Sequence, residues 1–150
     1  MAEIIGTAHA GFTVKDMDKT LDFWCGLLGG KLAEPVCIAV HKGCKVVGNG
    51  MQENVRFKAC KVEIGGILVE FFEFLNPAAE AYHGKLWKAG SAHLAFYVDD
   101  IYAMKSKLEA AGVEFQSDVN ADEKDGVEIC KWVYLKECND IRMELMQKLV

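Results

Sequence analysis

The chain has no basic excess. Its 17 Lys and Arg are outnumbered by 22 Asp and Glu, for a net charge of −5, and no basic patch stands out. That excludes nucleic acid as an expected partner. No apolar run approaches the roughly 20 residues of a membrane span, so no membrane partner is expected either. The start, Met1-Ala2-Glu3-Ile4-Ile5-Gly6, lacks the basic segment and long apolar run of a signal peptide, and a cytoplasmic address is expected. Six cysteines (25, 37, 44, 60, 130 and 138) contain no Cys-x-x-Cys pair. They read as reduced thiols in preference to a disulfide framework or a cysteine zinc site. No phosphate-cradling loop or coenzyme A pocket is legible. What remains is an ordinary globular composition, 51% hydrophobic and 26% charged, in 150 residues, enough for one domain with a real core.

One stretch occurs twice. Ala8-His-Ala-Gly-Phe-Thr-Val14 returns as Ala92-His-Leu-Ala-Phe-Tyr-Val98, with Ala8/Ala92, His9/His93, Phe12/Phe96 and Val14/Val98 identical at an offset of 84 residues. Each copy alternates like a half-buried strand and runs into an acidic helix start, Asp16-Met17-Asp18 or Asp99-Asp100-Ile101. A duplicated module is the simplest reading.

In order, Ile5–Val14 is a strand with His9, Gly11 and Thr13 on one face. Met17, Leu21, Trp24 and Leu28 recur at helical spacing over 17–28; Asp16 or Asp18 can cap that helix and Gly29-Gly30 ends it. Lys31–His41 reads as a strand in which Pro35 argues for an edge or a bulge. Gly43–Gln52 reads as a loop. Val55–Ile64 and Ile67–Phe74 form a hairpin across Gly65-Gly66. Asn76–Ser91 is the linker, with a short helix started by Asn76-Pro77. The second module follows with a strand at 92–98, a helix at 101–111 ended by Gly112, a strand start at 113–115, an acidic loop at 117–126, and a hairpin of 127–137 with 141–147 across Asn139-Asp140. The expected fold is therefore α+β: a single domain, 1–150, of two tandem βαβββ modules. Module one spans about 5–75, the linker 76–91 and module two 92–148. The modules form an open, cleft-lining half-barrel of β-sheet with helices outside.

Each module's last strand carries one carboxylate among apolar residues: Glu70 in Leu68-Val-Glu-Phe-Phe72 and Glu144 in Arg142-Met-Glu-Leu-Met146. A buried carboxylate is costly without a cation or hydrogen bonds. His9, Glu70, His93 and Glu144, one histidine and one glutamate per module at matching positions, make a sensible site for a divalent metal such as Zn, Ni, Co or Mn. Bland readings compete. A single strand histidine is more often a hydrogen-bonded core residue, and Glu144 alone fits a solvated face. The Gly65-Gly66 turn sets Lys61 opposite Glu70 as a plain ion pair, and the second turn sets Arg142 opposite Glu137. Glu73 has the opposite parity to Glu70, and His41 and His83 are expected to be solvent-exposed.

These residues resemble the vicinal oxygen chelate superfamily, which includes glyoxalase I, methylmalonyl-CoA epimerase, extradiol dioxygenases and fosfomycin-resistance proteins. The matching segments are His9-Ala-Gly-Phe-Thr-Val, Leu21-Asp-Phe-Trp, Leu27-Leu-Gly-Gly, Val69-Glu-Phe, His93-Leu-Ala-Phe-Tyr-Val-Asp-Asp, Ala110-Ala-Gly-Val-Glu-Phe and Met143-Glu-Leu. The resemblance implies a glyoxalase-like metal site of His9, Glu70, His93 and Glu144. Epimerases usually have glutamine where this chain has Glu70. The arginine with which bacterial glyoxalases meet glutathione is Thr13 here, and the family's Asp-Pro-Asp-Gly turn is Glu137-Cys-Asn-Asp140. Glu53 lies about where an epimerase carries a glutamate.

The resemblance thus implies a metal-dependent lyase or isomerase, glyoxalase-like, acting on a small α-hydroxy carbonyl or thioester through a metal-bound enolate. Glu144 or Glu70 serves as the base, or Glu53 in an epimerase-like scheme. The alternatives are a methylmalonyl-CoA epimerase-like racemase, an extradiol-type dioxygenase holding Fe, and a metal-free binding or resistance protein of the same fold. A homodimer is expected.

Overall fold

The structure is a computed structural model, and it describes residues 1–41, 55–81, 85, 87–136 and 139–150. The expected loop at 43–52, with Glu53 beyond it, and His83 lie outside the described residues. The chain divides into two compact units, Met1–Glu80 and Ala81–Val150.

The first unit contains β1 (Ala10–Thr13), α1 (Met17–Leu21) running into a π-helical stretch (Asp22–Leu27), β2 (Lys31–His41), β3 (Val55–Ile64) and β4 (Ile67–Asn76). The second contains β5 (Leu94–Tyr97), α2 (Ile101–Ala110), β6 (Asn120–Lys124), β7 (Val127–Lys136) and β8 (Arg142–Lys148). The four-stranded sheets have the orders β1-β4-β3-β2 and β5-β8-β7-β6. In each, the first strand runs parallel to the last and the other neighbours are antiparallel. The fold is α+β, with the same βαβββ module twice, each sheet open.

The helices start alike. Asp16 accepts the Lys19 N–H at 3.1 Å, and Asp100 accepts those of Tyr102 and Ala103 at 3.0 and 2.9 Å. A second device fixes each helix to its sheet. Glu73 of β4 accepts the Met17 N–H at 2.8 Å, and Gln147 of β8 accepts the Ile101 N–H at 3.1 Å. Glu73 also takes the Lys58 ammonium at 2.9 Å. Its opposite parity to Glu70 thus aims it at the helix. Gly29 and Gly112, at φ 80° and 84°, end the two helices in the left-handed region. Gly30 admits no side chain, because a Cβ there would lie 2.7 Å from Val62 Cγ1 and 2.8 Å from the Trp24 carbonyl oxygen.

The helix-side faces of the sheets are the cores. In unit one Met17, Trp24, Cys60, Val62, Val69 and Phe71 are buried, with the Trp24 and Phe71 rings 5.1 Å apart. In unit two Ile101, Leu108, Val133, Leu135, Met143 and Leu145 are buried. Burial pushes the Cys60 thiol up to about 11, beside Met17 Sδ at 3.3 Å. Cys25, Cys37, Cys60 and Cys130 are free thiols.

Several expectations need correction. The helical stripe Met17-Leu21-Trp24-Leu28 becomes Met17, Thr20, Phe23 and Trp24, with Leu21 and Leu28 only half-buried. The Leu28 N–H reaches back five residues to Phe23 O, and this wide turn breaks the 3.6 period. β1 begins at Ala10, not Ile5, because its ladder to β4 starts at Ala10 opposite Val69. No helix forms among the described residues of 76–91. Instead β4 runs on to Asn76, the Asn76–Pro77 peptide is cis, and Leu75 bridges Ala78. The acidic "loop" 117–126 contains β6, an edge strand whose charged side chains need no apolar alternation. Phe115, expected to start a strand, makes only an isolated bridge to Leu135. Pro35 behaves as expected: β2 is the edge, and its register shifts between Glu34 and Cys37.

Candidate functional site

On the face of each sheet opposite its helix, one histidine meets one glutamate. In unit one His9 Nε2 lies 3.0 Å from Glu70 Oε2, and in unit two His93 Nε2 lies 3.2 Å from Glu144 Oε2. The parallel pairing of first and last strands produces both contacts. Gly11 is opposite Glu70 and Ala95 is opposite Glu144, so the histidine two residues earlier leans over its carboxylate. The glutamate side chains keep only 18% and 11% of their surface exposed; the histidines keep 37% and 39%.

The donor atoms suit a divalent cation. Metal bonds of about 2.1 Å meeting near a right angle place neighbouring donors roughly 3 Å apart, which is the separation of both pairs. Imidazole nitrogen with carboxylate oxygen is a borderline-hard set that fits Zn, Mn, Co or Ni. Within each unit the described residues form this pair, and no group of three or more His, Cys, Asp and Glu side chains that could hold a metal ion is found among them.

The two pairs differ in the residue across the hairpin. Lys61 stands opposite Glu70, as the Gly65-Gly66 turn requires, with both glycines at positive φ, 58° and 80°. Its ammonium is 3.1 Å from Glu34 and 3.8 Å from Glu70, and hydrogen bonding to Glu34 raises its pKa. Glu70 is therefore shared between His9 and Lys61. Opposite Glu144 stands Tyr134, whose ring meets His93 edge-on at 5.4 Å and Trp132 at 5.7 Å. Burial, and then the charge of Glu144 and hydrogen bonding to it, raise the Tyr134 pKa. Trp132 is anchored in turn by an indole N–H donated to Asp122 at 2.9 Å.

The register at the Asn139-Asp140 turn differs by one residue from that expected. Lys136, not Glu137, pairs with Arg142, because the connection is longer than two residues, with Asp140 at φ 63°. Glu137 itself lies outside the described residues. Tyr134, which is not among the site residues expected from sequence, is the residue this register sets opposite Glu144. The signal was available: Met143 and Leu145 are core residues, so Val133 and Leu135 must share their face and Tyr134 must share that of Glu144. His41 closes β2 opposite Val55.

The model of the Glyoxalase/Bleomycin resistance protein/Dioxygenase superfamily matches residues 6–137, and the chain belongs to that superfamily. No curated protein matches it. Among solved structures it is similar to a glyoxalase family protein from Bacillus cereus, 20% identical, covering 99% of this chain and 97% of that one with a TM-score of 0.79. It is also similar to a glyoxalase family protein from Enterococcus faecalis (17% identical, 95% and 97% covered, TM-score 0.65). A third is the fosfomycin resistance protein FosX of Listeria monocytogenes, solved with Mn(II) and sulfate (16% identical, 99% and 96% covered, TM-score 0.63). At these identities the likeness is one of fold. Among the described residues no helix is long and apolar enough to cross a membrane.

Proposed function

We propose that the protein is a divalent-metal-dependent lyase or isomerase of the glyoxalase type, active as a homodimer on a small α-hydroxy carbonyl or thioester. His9, Glu70, His93 and Glu144 serve as the metal ligands. The observation that carries this reading is the repetition of one contact, imidazole Nε2 to carboxylate oxygen at 3.0 and 3.2 Å, from equivalent positions of two modules. The Mn(II) in FosX supports a divalent ion as an occupant of this fold.

When bound, the ion supplies positive charge that polarises a carbonyl and acidifies the adjacent carbon. The protein's own residues handle the proton. Glu144, the less exposed glutamate and free of a lysine partner among the described residues, takes the proton from that carbon and returns it. Tyr134 keeps its proton, since burial and the charge of Glu144 raise its pKa, and its hydroxyl orients the Glu144 carboxylate. Glu70, already approached by Lys61, binds and does not shuttle.

The test follows hydrogen exchange. Incubated in deuterated buffer with small α-hydroxy carbonyl compounds, the protein should wash deuterium into the carbon beside the carbonyl. A chelator should abolish this, and Mn, Co, Ni or Zn should restore it. Exchange untouched by chelation sinks the metal-dependent reading, and oxygen consumption with a catechol moves the protein to the dioxygenase branch.

A further inference from the structure

Arg142 sits two residues before Glu144 on β8 and so shares its face of the sheet. Leu94 pairs with Met143, which puts His93 beside Arg142 in the adjacent strand. The guanidinium is half-buried and oddly provided for. Nη1 donates to Ser91 Oγ at 2.7 Å, whereas Nε is buried with no hydrogen-bond partner. Across the hairpin stands another cation, Lys136, which pairs with Asp140 at 3.8 Å. Among the described residues no carboxylate lies within ion-pair distance of Arg142.

A half-buried positive charge with an unbonded N–H is unfavourable as it stands. Its donors form a rigid planar fork that matches the two oxygens of a carboxylate. Among the described residues a neutral serine hydroxyl holds one arm and no carboxylate pairs with the guanidinium. We infer that Arg142 anchors a carboxylate of the substrate beside the His93–Glu144 pair, so that the substrate is an oxygenated small acid and not a neutral carbonyl compound. This rests on the reading of that pair as the reactive one. Ser91 fixes the orientation of the fork. The carboxylate supplies a counter-charge that no described residue provides, and its α-carbon is then held close to Glu144.

The test compares pyruvate with pyruvamide, which keeps the α-carbonyl but has no charge. Binding is followed by nuclear magnetic resonance on the full chain, both chelator-treated and Mn-loaded. Wild type should bind pyruvate about tenfold or more tightly over pyruvamide in both forms, the discrimination expected of a charge-assisted hydrogen bond. Arg142→Gln should bind the two equally, and Arg142→Lys, with charge but no fork, should keep part of the preference. Thermal melting checks that each variant is folded. Equal binding of both probes by wild type, or an undiminished preference in folded Arg142→Gln, overturns the assignment. A preference present only with Mn and retained in Arg142→Gln also overturns it, since the ion would then be the anchor. A pyruvate preference in the chelated protein, lost in Arg142→Gln, supports the anchor even if Mn never binds; only the metal reading would then fail.

Discussion

Glu144→Gln is expected to slow solvent-proton exchange into the substrate by about 10²- to 10⁴-fold, the range contributed by a positioned general base. The change is nearly isosteric and keeps an oxygen for His93 and for any metal, so the fold should survive. What disappears is the basic lone pair at a carboxylate only 11% exposed. Glu70→Gln is the paired control. Glu70 already shares its charge with Lys61 at 3.8 Å. Its loss should be much the smaller of the two. The measurement is deuterium incorporation with both variants saturated by metal. If Glu144→Gln exchanges as fast as wild type, Glu144 is not the base.

Trp24→Ala should cost about 3–5 kcal/mol, as large-to-small changes in a closed core do. The indole is fully buried and lies against Phe71 at 5.1 Å and Phe23 at 6.2 Å. Removing it opens a void beneath the strand that carries Glu70, so the local support of the first His–Glu pair should loosen as well. Trp87, 80% exposed, is the comparison: its alanine variant should stay within about 0.5 kcal/mol of wild type. Urea denaturation of both variants reads the difference. A Trp24→Ala loss below about 1 kcal/mol would mean that the helix-side core does not hold unit one together.

Much of this architecture was legible because duplication shows each signal twice. The repeated Ala-His…Phe…Val stretch, the glycines after both helices and the Gly65-Gly66 turn all act through local sterics, and local sterics can be read from sequence. The pairing of Lys61 with Glu70 followed from turn geometry alone. What failed depended on longer-range competition. The π-helical stretch swapped the buried set around Trp24, because packing on β4 outweighed an ideal period. β6 hid in an acidic segment, since a solvent-facing edge strand shows no hydrophobic alternation; Asp125-Gly126, both at positive φ in a tight hairpin, was the signal for it. The Asn139-Asp140 turn departs by one residue from the two-residue reading, and that register puts Tyr134 opposite Glu144 and Lys136 opposite Arg142. Both His–Glu pairs were foreseeable from parity, because each depends only on which residues share a strand face. Their separations of 3.0 and 3.2 Å, and the different third residue in each unit, required side chains in place.

The most direct test of the central claim is the metal content of purified protein, measured by elemental analysis beside His93→Ala. The account predicts about one divalent ion per chain in wild type and almost none in a folded His93→Ala variant. Equal metal in the two would contradict it.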